Sequence, residues 1–131
     1  MKFSEDKIQQ GYYISGYEPG VILVNGNPKT QSFIISDTRL IEGWAPGHID
    51  ALRAEHLELL IELQPELVIL GTGAVLKFPS MGHYARLIEQ NIGVEIMDSD
   101  AACRTYNILL GEGRKVVAGI IINARVDDSP A

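Results

Sequence analysis

The residues best equipped for chemistry fall in one run, MDSDAACRTYN, from Met97 to Asn107. Asp98 and Asp100 bring two carboxylates, Cys103 the only thiol of the chain and Arg104 a guanidinium, all beside a predicted helix start. In the first turn of a helix, with a cation as neighbour, a thiol is drawn toward thiolate by the helix dipole and by the charge. That is the signature of a reactive nucleophile. Against it, there is no second cysteine for a CxxC pair and no histidine near in sequence, and cysteine is among the residue types most often buried. Buried packing is the default for Cys103, and the sequence nominates no catalytic group. Arg104 is the stronger binding candidate. Either it pairs with Asp100, four residues back on the same helix face, or it reaches across the strand ends to an anion or a partner's carboxylate. Tyr106 and Asn107 read as a packed ring and a solvent-facing amide.

A second feature belongs with the first. Gly71-Thr72-Gly73 follows an unbroken apolar run, Leu67 to Leu70, and Asp98 ends the next predicted strand, Val94 to Met97. Consecutive buried strands deliver their carboxyl ends to one edge of a sheet, where α/β folds place ligands. The predicted binding corner is therefore Gly71, Thr72 and Gly73 facing Asp98, Asp100 and Arg104 across a polar depression. A dinucleotide does not fit this spacing. Leu76 stands where the third glycine of G-x-G-x-x-G belongs, and Lys77-Phe78-Pro79 delays the helix whose amino terminus would meet a phosphate. His48, His56 and His83 are scattered without metal-ligand spacing, so neither metal nor cofactor is expected.

The elements that position this corner alternate. The first 45 or so residues read as β structure: Gly11 to Tyr17, Val21 to Val24 and Ser32 to Ser36, with a short strand in Leu40 to Trp44. Asn25-Gly26 predicts a hairpin between the second and third of these strands. After Pro46-Gly47, the spacing of Ile49, Leu52, Leu57, Leu60 and Ile61 predicts an amphipathic helix ended by Pro65. Strand Leu67 to Leu70 comes next. A helix follows from Pro79-Ser80, with Met81, Tyr84, Leu87 and Ile88 on one face, then strand Val94 to Met97. Ser99 or Asp100 can cap a helix through Leu109, and Lys115 to Ile122 is a last apolar strand. Trp44 is placed at the edge of the core.

At 131 residues and 46% hydrophobic composition the chain can bury a core of its own, and nothing in it marks a boundary or repeat; one domain over residues 1–131 is expected. A net charge of -6 with no basic cluster argues against nucleic acid and anionic membranes as partners. The start, MKFSEDKIQQ, carries acids where a targeting peptide would be positive, and no apolar run approaches about 20 residues. Together with the lone cysteine this predicts a cytoplasmic protein without direct membrane insertion.

The stretch GVEIMDSDAACRTYNILLGEGRKVVAGI, the Gly71-Thr72-Gly73 strand end and the amino-terminal β region together resemble the Mth938-like family, a domain of unknown function. The likeness runs from about residue 8 to 123, and AACRTYN is its sharpest part. Ser99 stands where the family's threonine is expected, a swap that preserves cap chemistry. The resemblance implies an α/β fold of three layers, in which an amino-terminal β region is followed by a βαβαβ unit. A mixed central sheet would carry helices on one side and further β and helical elements on the other. Relatives in eukaryotes include a mitochondrial assembly factor for respiratory complex I. It thus implies a noncatalytic protein that works through protein partners, respiratory-complex subunits among them. The alternative reading is a small-molecule or anion-binding module at Gly71 to Gly73 and Arg104.

Overall fold

A computed structural model describes residues 11–123 of the chain. Strands β1 (Ile14–Glu18), β2 (Val21–Val24) and β3 (Asn27–Lys29) form an antiparallel sheet in that order. The predicted turn is present. Asn25 and Gly26 take φ of 48° and 84°, the left-handed pair that a two-residue hairpin requires.

Its second strand is not the predicted one. The turn closes on Asn27–Lys29, where Pro28 lacks an N–H and is tolerated because β3 lies at an edge. The run Phe33–Ile35, wholly buried, leaves this sheet to become β4 of another. That sheet has the order β5-β4-β8-β6-β7, with β5 at Leu40–Glu42, β6 at Leu67–Gly71, β7 at Gly93–Met97 and β8 at Val116–Ile120. β6 runs parallel to both β7 and β8, whereas β4 is antiparallel to β5 and β8. The sheet is mixed, as expected.

Helices α1 (Ala54–Glu62) and α2 (Met81–Glu89) cover one face over a core of Ile34, Trp44, Leu60, Leu70, Leu87 and Val117. The other face carries α3 (Ser99–Gly111) and the three-stranded sheet, which meet it through Ile14, Phe33, Ile69, Cys103, Tyr106 and Ala118. The three layers and the amino-terminal β region followed by a βαβαβ unit are those the family resemblance implied.

Two helices differ from the sequence reading. Ile49–Ala51 is a separate 3-10 turn, and α1 starts only after Leu52 and Arg53 take extended backbone. Histidines supply the breaks: His48 Nδ1 accepts from Asp50 N at 3.1 Å and His56 Nδ1 from Arg53 N at 2.9 Å. On α2, Met81 and Ile88 were expected with Leu87 in the core, yet only Leu87 is buried and both of the others face solvent. Trp44 does close the core. Its Nε1 donates to His56 O at 3.1 Å, and its ring lies so near β8 that a Cβ at Gly119 would meet it at 2.7 Å.

Candidate functional site

β7 and β8 flank β6 on opposite sides, and the connecting helices α2 and α3 lie on opposite faces of the sheet. The loops leaving β6 and β7, which lead into α2 and α3, therefore diverge at their carboxyl ends, which is where open α/β sheets hold ligands. Gly71 to Gly73 and the start of α3 meet at this point. They meet in direct contact.

Ser99 makes the contact. Its buried hydroxyl accepts from Gly73 N at 2.9 Å and donates to Ile121 O at 2.6 Å, and its own N–H donates to Gly73 O at 2.9 Å. Gly71 is required here, since a Cβ would lie 2.9 Å from Ser99 Oγ and 3.0 Å from Ala102 Cβ. Thr72 N donates to Met97 O, and Ala74 N to Asn123 Oδ1 at 2.7 Å. Three successive backbone donors, 72 to 74, which an anion would need, are thus held by protein acceptors. The amide of Asn123 fills the space above Gly73 as well, 2.5 Å from where a Cβ would stand.

The predicted side chains are engaged locally. Asp98, not Ser99 or Asp100, caps α3, accepting from Ala101 N at 2.9 Å. Arg104 Nη1 lies 2.6 Å from Asp100 Oδ1 in an i,i+4 pair with both side chains at least a third exposed. The contact is ionic: among the described residues no donor is aligned on this oxygen, although solvent does not reach it. Cys103 is wholly inside. Burial drives its thiol far above the ordinary range, with help from the carboxylates of Asp100 and Asp98, and outweighs the opposing pull of Arg104. Neither helix dipole nor arginine makes a nucleophile of it.

Two neighbours have partners the sequence did not disclose. Tyr106 is the packed ring expected, with its hydroxyl donating to Tyr12 O at 2.8 Å. Asn107 is not a solvent-facing amide. It accepts from Ile14 N at 3.0 Å and donates to Ile14 O at 2.7 Å, tying α3 to β1 as a strand would. Among the described residues, no three of His, Cys, Asp and Glu come together as a metal site would need. A hollow of about 300 Å³ opens by Gln31, Gly43, Trp44, Pro46 and Ile122, none of them a predicted site residue.

The unexpected surface begins where the sealed corner ends. Val75, Leu76, Phe78 and Met81 are 73, 47, 64 and 66% exposed, and Ile88 is 53% exposed. With half-buried Ala85, Met81 and Ile88 share one stripe of α2 at i, i+4, i+7 spacing. The loop is braced. Thr72 Oγ1 donates to Val75 O at 2.8 Å and accepts from Lys77 N at 3.2 Å, while Lys77 Nζ reaches Asp50 Oδ1 at 2.5 Å and holds that carboxyl below its ordinary range. An apolar cluster of this kind on a braced support is characteristic of a binding surface.

Residues 14–121 match the family model described as a protein of unknown function (DUF498/DUF598). The chain belongs to this family. It is 30% identical over 122 residues to the 13 kDa major membrane protein of Francisella tularensis subsp. holarctica, a match spanning 92% of this chain and 99% of that one. It is 31% identical over 113 residues to NADH dehydrogenase [ubiquinone] 1 alpha subcomplex assembly factor 3 of Danio rerio, covering 85% of this chain. The match spans 64% of that assembly factor, less than two thirds of its length. The fold is that of a Mth938-like domain of Bordetella pertussis, with a TM-score of 0.80 at 24% identity over 97% of this chain and 96% of the other. No helix of the described residues is long and apolar enough to cross a membrane.

Proposed function

We propose that this family member acts without catalysis, as an assembly or chaperone-like factor for a membrane complex of the NADH dehydrogenase type, with Val75 to Met81 and the outer stripe of α2 as its docking surface. The observation that carries the reading is that loop: four large apolar side chains held out to solvent by Thr72 and by the Lys77–Asp50 contact. Exposure of this kind is costly unless something covers it. The likeness to assembly factor 3 supports the choice of a respiratory complex as the partner. At the Gly71 to Gly73 corner, by contrast, donors already committed to Ser99 and Asn123 leave the anion-binding alternative with little to bind through.

Affinity capture from the native cell in mild detergent tests this. The wild-type chain should bring down subunits of such a complex. Val75→Ser/Phe78→Ser should lose at least about nine tenths of them, because truncating apolar anchors at the centre of an interface costs 2 kcal/mol or more. Its thermal melt should not move, since exposed substitutions stay within about 0.5 kcal/mol. Equal capture by the variant, or no such subunits at all, would overturn the reading.

A further inference from the structure

The charges around the apolar loop select what can cover it. Between Asp50 and Gln90 the chain holds six carboxylates against three cations. Two of those cations are already spent: Lys77 on Asp50, and Arg86 on Glu58 through contacts of 2.8 and 3.2 Å. Glu55 and Glu62 lie on the exposed side of α1, which packs beside α2, and Glu89 follows Ile88 at the end of α2. Among the described residues none of these three glutamates forms an ion pair. The surface is therefore apolar at its centre and acidic at its rim.

Three occupants can be compared on that basis. An anionic bilayer meets a negative rim on a chain of net charge -6, with no free cation in the loop to draw it in. A second copy related by a two-fold axis sets the same unpaired glutamates against each other. A segment that is apolar in the middle and basic at its ends meets both features at once. Membrane-spanning helices have this chemistry at their cytoplasmic ends, where lysine and arginine flank the apolar core.

We infer that the loop and α2 receive a lysine- or arginine-flanked apolar segment of the partner, the end of a membrane helix before it is packed. The inference rests on the assembly reading and adds the partner's chemistry to it. It also explains how a chain with no spanning helix among its described residues can work on membrane subunits.

The test uses the full chain and labelled synthetic peptides with one Leu/Ala core, flanked either by paired lysines or by paired glutamates. Fluorescence anisotropy should show the lysine-flanked peptide bound at least about tenfold tighter, a difference of about 1.4 kcal/mol, and the advantage should shrink as salt rises. Glu55→Lys/Glu62→Lys/Glu89→Lys should reverse the preference. Val75→Ser/Phe78→Ser should weaken both peptides alike. Equal affinity for the two peptides, stronger cosedimentation with phosphatidylcholine/phosphatidylglycerol vesicles than binding to peptide, or self-association that competes with the peptide would each overturn the inference. If the peptides are not discriminated while Val75→Ser/Phe78→Ser still loses respiratory subunits in capture, the basic-flank inference falls and the assembly reading stands.

Discussion

The connection from β6 to α2 has two halves of opposite character. In the first, Gly71 to Ala74, each N–H from 72 to 74 and the space above each glycine are taken by Met97, Ser99 or Asn123. In the second, Val75 to Met81, the backbone is braced and the apolar side chains point at water. The half that looks chemical in sequence is a joint between strands and helix. The half that looks like filler is the one proposed to dock a partner. Glycines, acids and a cysteine at strand ends are what a tight internal seam needs too, so residue type alone does not separate seam from site.

The contrast can be broken or sharpened by substitution. Ser99→Ala should have the largest effect, because it leaves Gly73 N and Ile121 O buried without partners, at about 1–3 kcal/mol for each such group. A loss on the order of 2–4 kcal/mol by urea unfolding is expected. A loss below about 0.5 kcal/mol would mean that water takes over the joint and the corner is open after all.

Cys103, beneath the same joint, gives an intermediate effect that depends on pH. Its folded pKa is raised by burial, so the native state keeps its proton where the unfolded chain loses it. The stabilisation is complete below the ordinary thiol value of 9.0 and is lost as pH rises above it. Relative to Cys103→Ala, unfolding free energy should fall by up to about 1.4 kcal/mol per pH unit in that range. Native labelling by a thiol reagent at neutral pH should be slow and should accelerate on unfolding. Labelling of the native protein at the unfolded rate would return the thiol to the list of reactive groups.

Arg104→Ala should do least. An exposed i,i+4 pair contributes about 0.3–0.5 kcal/mol, and partner capture should survive its loss. A tenfold drop in capture with the melt unchanged would move the docking surface to α3.

Much of the fold was legible because its signals are local. Unbroken apolar runs marked β6 and β8, Asn25-Gly26 marked its turn, and helical spacing marked α2 and α3. What escaped depends on partners remote in sequence: Ser99 with Ile121 across 22 positions, Ala74 with Asn123 across 49, and Asn107 with Ile14 across 93. Periodicity also sent Met81 and Ile88 inward, since it assigns apolar residues to a core and has no means of recognising apolar residues left at the surface. The only sequence signal was that Val75, Leu76 and Phe78 crowd a loop, where polar residues are the rule.

β8 is the last described strand in the chain and sits at the middle of its sheet, between β4 and β6. During synthesis, β4 emerges more than eighty residues before the strand it must pair with, as the register Phe33 with Ile120 shows. Phe33, Ile34 and Ile35 are fully buried in the finished protein, so the nascent chain carries an unpaired, aggregation-prone edge until β8 leaves the ribosome. A protein proposed to shelter the exposed segments of others therefore passes through the same vulnerable stage itself, and its own yield in the cell should depend on how quickly translation reaches Ile120.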